Sequence, residues 1–393
     1  MLRGRSARGR SSTAGDEAFP RRLREPTARA CDPGERAPCL SARGGSTQPR
    51  SGDQVQAAVI NRFGGAEALE LVQDHPEPQV ADNQVLVQVH AAGLNPLDIK
   101  TRRGELRWIR GAKFPMVLGN DASGVVVKCG RQVTEFQLGD TVYGMFDPRS
   151  TPSWTGFTRS GAYAELAVTR AETLTTKPDR LSHVEAAAIP LACLTAYQAL
   201  TQRASVQPGS RVLINGASGG VGVYAVQLAK AWGASVTAVC SERTHDVVRR
   251  LGADRLVDYR RCDVTQVDGE FDVIYDVAVK SSFSACRHLL ADDGVFISNI
   301  VGPGSLVGTI AAPLLCAFGA RKKNTFAFVR PRGDDLCEVS TLIRRNAIRP
   351  VIDRVFPLEE IRAAHAYAEE ARRCGKVVVA LPAFERSPTI RAA

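Results

Sequence analysis

The chain has 393 residues, 44% apolar and 23% charged, which excludes a chain disordered throughout, a collagen and a small disulfide scaffold; at about 150 residues per domain it holds two to three domains. Of the net charge of +10, +6 lies in residues 1–50, where eleven Arg face five acids, and the rest shows no Lys/Arg run with interleaved aromatics. That distribution argues against nucleic-acid binding as a main function. The ten cysteines are scattered without a C-x-x-C pair, so they are expected to be reduced thiols and not a structural zinc lobe.

Residues 1–54 form an Arg-, Ser-, Gly- and Pro-rich extension, too poor in apolar side chains to offset its ordering entropy, and disorder is expected there. Its start, MLRGRSARGRSSTAG, has no acid and no apolar core. It fits an organelle transit peptide or an extension that targets nothing. Without a secretory signal the chain is expected in the cytoplasm, with a mitochondrion or plastid as the alternative.

Residues 55–183 read as a β unit. Val55–Ile60, Leu69–Val72, Val85–His90, Ala122–Val127, Thr141–Tyr143 and Ala162–Val168 are short apolar or alternating runs between Gly, Pro and Asp turns. From residue 184 the pattern changes. Val184–Leu200 reads as a helix broken at Pro190. Strands Arg211–Asn215, Ser235–Cys240, Arg255–Asp258, Phe271–Asp276 and Val295–Val301 then alternate with helices Val221–Trp232, Arg243–Leu251 and Ser282–Leu290. Such alternation implies a doubly wound parallel α/β sheet over 184–329. Helices Asp334–Arg345 and Leu358–Ala371 and a strand Val377–Leu381 follow in 330–393. Gly294–Ala320 carries no charge and is long enough to cross a bilayer, but its glycines and prolines favour a core strand with a buried loop or subunit contact; membrane contact is the lesser expectation.

The strongest chemical signal is Ala217-x-Gly219-x-x-Gly222 between a strand and a helix. A tight turn without side chains lets a diphosphate rest on free N–H groups at a helix N-terminus, so Ser218, Gly219, Gly220 and Val221 are expected to line it. Where an acid would select NAD, the second strand ends in Ser241, followed by Glu242 and Arg243. With Arg243 able to grip a 2′-phosphate and Tyr259 ending the third strand, NADPH is expected over NADH; Glu242 is the dissenting residue.

Several ordered motifs carry a resemblance. His90-Ala-Ala-Gly-Leu-Asn-Pro-Leu-Asp98, Leu118-Gly-Asn-Asp-Ala-Ser-Gly124, Gly139-Asp-Thr-Val-Tyr-Gly144, Leu194-Thr-Ala-Tyr197, the cofactor turn, Leu251-Gly-Ala-Asp254 and Gly375-Lys-Val-Val378 resemble the medium-chain dehydrogenase/reductase superfamily. Within it they are similar to the zinc-free quinone oxidoreductase and enoyl reductase branch. The resemblance implies a small-chaperonin-like β-barrel catalytic domain against a Rossmann domain, with the active site between them, and a homodimer. It places the zinc-ligand positions of metal-dependent relatives on Asn95, Asn120 and Leu191, a set that does not suit zinc. It puts Thr195 beside the nicotinamide, Val277 and Ala278 at a ribose and Lys376 within reach of the phosphates.

Without a Lewis acid, conjugate reduction of enones or quinones with NADPH is the expected chemistry. Asn95 is the first candidate for a substrate carbonyl or the nicotinamide ribose; its alternative is a turn Asn before Pro96. Lys100, where zinc-free relatives carry Tyr, either stabilises an enolate or is a solvated surface cation. The other readings are a zinc-independent alcohol dehydrogenase and a non-catalytic NADPH-binding or membrane-peripheral protein. No H-E-x-x-H or G-x-S-x-G occurs.

Overall fold

Val85, Leu86, Val87 and Val89 put apolar side chains on both faces of one strand, and β3 (Gln84–Leu94) is accordingly buried almost throughout. The structure is a computed structural model that describes residues 54–107, 113–146, 161–299, 321–370 and 373–381. The expected extension and nearly all of the uncharged Gly294–Ala320 stretch lie outside the described residues.

Two register shifts let β3 serve two partners on one edge. Gln84–Gln88 pairs with β7 (Leu166–Arg170), and Ala91–Leu94 pairs with β16 (Lys376–Ala380). Its other edge pairs with β5 (Asp121–Cys129). β6 (Thr141–Met145), β8 (Leu174–Thr176) and β15 (Ile352–Pro357) complete this seven-stranded sheet. β1 (Gln54–Ile60), β2 (Leu69–Pro76) and the two-residue β4 (Met116–Val117) form a second sheet beside it. The expected strand Ala162–Val168 is shorter, because Ala162–Glu165 meets β1 only at the Ala57–Ala164 bridge and in loop hydrogen bonds.

The second half is a six-stranded parallel sheet in the order β11 (Arg255–Asp258), β10 (Ser235–Cys240), β9 (Arg211–Asn215), β12 (Phe271–Asp276), β13 (Leu290–Ser298) and β14 (Lys323–Phe326). This is the doubly wound arrangement, whose switch point lies between β9 and β12. β13 starts five residues before the expected Val295, because Leu290 pairs with Phe271 across a bulge. The expected helix before it is therefore cut to Phe283–Cys286 plus a 3₁₀ turn.

Helix α1 (Pro96–Arg102) lies beside the barrel strands. α2 (His183–Ala187) and α3 (Pro190–Gln198) replace the single expected helix, separated ahead of Pro190, whose missing N–H cannot continue an α-turn. α3 is buried on nearly every side, which matches its apolar composition. One core joins Tyr143 and Met145 of the barrel, α3 and the parallel sheet, so apolar burial holds the halves together. α4 (Gly222–Ala231) and α5 (His245–Arg250) cover the parallel sheet, and α6 is Phe283–Cys286; α7 (Gly333–Arg344) and α8 (Ile361–Glu369) belong to the return. Among the described residues no helix is long and apolar enough to cross a membrane. Six described cysteines are free thiols, but Cys337 is disulfide-bonded, which corrects the expectation of reduced thiols throughout.

Candidate functional site

β9 ends at Asn215, and the chain turns sharply through Gly216, whose φ of +87° suits glycine. A Cβ on Gly222 would lie 2.1 Å from the Gly216 carbonyl oxygen, so the third motif glycine is needed for the turn to close. Gly219 and Gly220 face open space by comparison; a Cβ on Gly220 would first meet the Lys376 stem at 3.1 Å. The amides of Ser218, Gly220 and Val221 have no backbone acceptor among the described residues, and the ten-residue α4 begins immediately after them. Bare amides and a helix dipole in this setting favour a phosphate.

Val277 and Ala278 lie on the other side of Gly216, both donating their N–H to the Asn215 carbonyl at 3.0 and 3.1 Å. Asp276, fully buried, accepts from the Asn215 amide at 2.8 Å and from the Ser281 N–H, which shapes this loop.

At the end of β10 the Ser241 hydroxyl sits 3.4 Å from that of Thr244, and Arg243 is exposed. Glu242 is paired with Arg261 at 3.1 Å. Tyr259 is 53% exposed, with the Arg260 guanidinium 5.9 Å from its ring centre. Arg260 and Arg261 were missed in the sequence, although the signal was two basic residues directly after the strand-ending tyrosine.

The three family ligand positions converge on a polar knot. Asn95 caps α1, its N–H donating to Asp98 Oδ2 at 2.8 Å. Its side-chain amide donates to Asp121 Oδ2 at 2.9 Å and to the Gly93 carbonyl at 3.3 Å, while its Oδ1 accepts from Lys376 Nζ at 2.5 Å. Both amide hydrogens are thus engaged, leaving none for a substrate carbonyl. Asn120 donates to Asp98 Oδ1, and Leu191 contributes only its backbone N–H, to Asp121 Oδ1 at 2.9 Å. Two engaged amides and an aliphatic side chain do not fit a zinc ion.

Lys376 is 3% exposed and stands 3.5 Å from Asp121, also donating to the Leu94 carbonyl at 3.1 Å. Burial raises the Asp121 carboxyl to about 6 and lowers the Lys376 ammonium, while their mutual attraction opposes both shifts. The ammonium therefore points into the barrel and not at the phosphate turn; only its stem runs along Gly220. The preceding Gly375 N–H donates to the Ser218 carbonyl at 2.9 Å, joining the last strand to the turn. The Thr195 hydroxyl donates within α3 to the Leu191 carbonyl at 2.6 Å. Lys100 is half-exposed on α1, lining a cavity of about 280 Å³ with Pro96, Arg103, Glu369 and Arg373.

Comparison with known proteins agrees with this geometry. Residues 81–179 match the family model for an alcohol dehydrogenase GroES-like domain, and residues 251–379 that for a zinc-binding dehydrogenase. The chain is 33% identical over 369 residues to the Bos taurus protein named NAD(P)H oxidoreductase RTN4IP1, mitochondrial, with 85% of this chain and 91% of that one covered. It is 31% identical to the Triphysaria versicolor quinone-oxidoreductase QR1, chloroplastic, over 84% of this chain and 99% of that one. The quinone oxidoreductase structure from Coxiella burnetii superposes with a TM-score of 0.70 at 32% identity, covering 83% of this chain and 99% of that one. The chain belongs to the medium-chain dehydrogenase/reductase superfamily of nicotinamide-dependent oxidoreductases.

Proposed function

We propose that this protein is an NADPH-dependent, zinc-independent reductase of quinones or α,β-unsaturated carbonyl compounds. The observation that carries this reading is the pairing of an open phosphate turn with ligand positions already consumed by hydrogen bonds. The printed names of the quinone oxidoreductase relatives support the substrate class.

When bound, the nicotinamide supplies a hydride; the β-carbon of an enone accepts it, the electron pair moves to the carbonyl oxygen, and a proton from a neutral donor or water completes the reduction. The bare amides of Ser218, Gly220 and Val221 hold the diphosphate, and the Val277–Ala278 loop borders a ribose. Thr195 borders the nicotinamide. Lys100 supplies positive charge beside the developing oxyanion. Asn95, with its donors occupied, is a positioning residue: it fixes α1 against Lys376 and the last strand. Arg243, Tyr259 and the neighbouring Arg260 form a basic, aromatic edge suited to a 2′-phosphate, and Arg261 neutralises the one acid that opposes it.

The test is NADPH consumption with a panel of quinones and enones, with metal content measured on the same sample. Turnover without stoichiometric zinc is expected. Tighter NADH than NADPH binding, or activity only after zinc is added, overturns the reading. The relatives named mitochondrial or chloroplastic support an organelle address over the cytoplasm. Residues 1–54 fused to a fluorescent reporter should then enter that organelle. A homodimer is proposed as well, and sedimentation velocity checks it.

A further inference from the structure

The cavity beside α1 is walled by the two segments that meet at the Lys376–Asn95 contact. One is α1, starting at Pro96 and carrying Lys100; the other is the stretch from Arg373 to Lys376. Its charges are unevenly matched. Glu369 is already gripped by both Arg102 and Arg103, and Arg103 also faces Glu105 at 3.9 Å. Lys100 and Arg373 make no ion pair among the described residues. Asp353, the acid nearest Arg373 on its far side, is occupied by the Tyr367 hydroxyl at 2.5 Å and the Cys374 N–H at 3.0 Å. Arg373 is also substantially desolvated, and burial lowers its pKa. A partly buried guanidinium without a carboxylate partner is costly, and it is retained where a ligand brings the missing anion. The planar fork of Arg suits a carboxylate or a phosphate oxygen pair.

Resting on the reductase reading above, we propose that Arg373, with Lys100 across the cavity, forms an anion subsite that selects substrates carrying a carboxylate or phosphate beside the reducible double bond or ring. Neutral enones and plain quinones are then the weaker substrates.

The experiment compares an oxo-enoic acid with its methyl ester, which differ by one charge, on the full chain with NADPH. kcat/KM is expected to favour the acid by about tenfold or more, the scale of one charge-assisted hydrogen bond. Arg373→Gln should lower that preference about tenfold, Arg373→Lys should keep part of it, and the Kd of NADPH should move less than about twofold. A phosphonate analogue of the acid tells carboxylate from phosphate selectivity. Equal or better use of the ester by the wild-type protein overturns the subsite. So does an Arg373→Gln variant that weakens NADPH binding while keeping the acid preference, because the charge then serves the cofactor's diphosphate. If neither compound is reduced, the reductase reading fails instead. Thermal protection of the NADPH-loaded protein by the acid but not the ester then supports the subsite on its own, and equal protection refutes it.

Discussion

Lys376 Nζ lies 2.5 Å from Asn95 Oδ1 although 281 positions separate them in the chain. This contact ties the last strand to the N-terminus of α1, and the residue before Lys376 is bonded to Ser218 of the phosphate turn. The buried Lys376–Asp121 pair thus links the barrel to the cofactor turn through one short segment.

Removing one member of that pair should cost more than removing both. Lys376→Met leaves the Asp121 carboxylate buried without its cation, and about 3–5 kcal/mol of stability should be lost. The double variant Lys376→Met, Asp121→Asn should recover a large part. Urea unfolding of the three proteins measures this; additive losses would show that the two side chains do not act as a pair.

The motif glycines should separate by what a Cβ meets. Gly222→Ala places a methyl 2.1 Å from the Gly216 carbonyl, so the turn must shift and the protein should be destabilised with or without cofactor. Gly219→Val extends into open space, so the fold should survive while NADPH affinity falls at least about tenfold through blocked amides. Circular dichroism melting and cofactor titration distinguish the two; a normal NADPH affinity in Gly219→Val would remove the diphosphate from this turn.

How much of this was readable in the sequence depends on whether the signal was local. Arg211–Asn215, Ser235–Cys240 and Phe271–Asp276 are apolar runs between turn residues, and their bounds could be read directly. Lys323–Phe326 has no apolar pattern and is a strand only because β13 lies beside it. Ile352–Pro357 mixes Asp, Arg and Pro and is fixed by its pairing with β16. The phosphate turn was legible because its glycines serve a local turn. The Asn95–Asp121–Lys376 knot was not, because its members come from three distant segments and each alone reads as a turn or surface residue. That is also why Lys376 was expected at the phosphates, while its ammonium bonds inside the barrel.

Cofactor selectivity should reside at the end of β11. Arg260→Ala and Tyr259→Ala should each weaken NADPH by about tenfold, with a smaller effect on NADH, since a bidentate Arg–phosphate contact is a charge-assisted hydrogen bond. Arg261→Ala should act in the same direction by freeing Glu242 to repel the 2′-phosphate. Fluorescence titration with both cofactors reads the ratio. Equal losses for NADPH and NADH would place these residues elsewhere than on the 2′-phosphate.

The pH dependence of stability should be governed by buried histidines. His365 has neither ring nitrogen bonded, lies edge-on to Tyr163, and is held by burial at about 3; His183, stacked on His90, is held at about 4. Both start from 6.5, so between these values the unfolded chain binds more protons than the folded one. Their stabilisation is therefore present above about 6.5 and is lost as pH falls through 6 towards 4. Asp121, raised from 3.8 to about 6, has the opposite slope over part of that window but is a single group. The melting temperature should fall steadily from pH 6.5 to 4. His365→Phe should flatten this slope and, by replacing two unbonded ring nitrogens with carbon against Tyr163, add about 1–3 kcal/mol at neutral pH. Melting curves of both proteins across that range provide the check, and an unchanged slope in His365→Phe would assign the acid sensitivity to other groups.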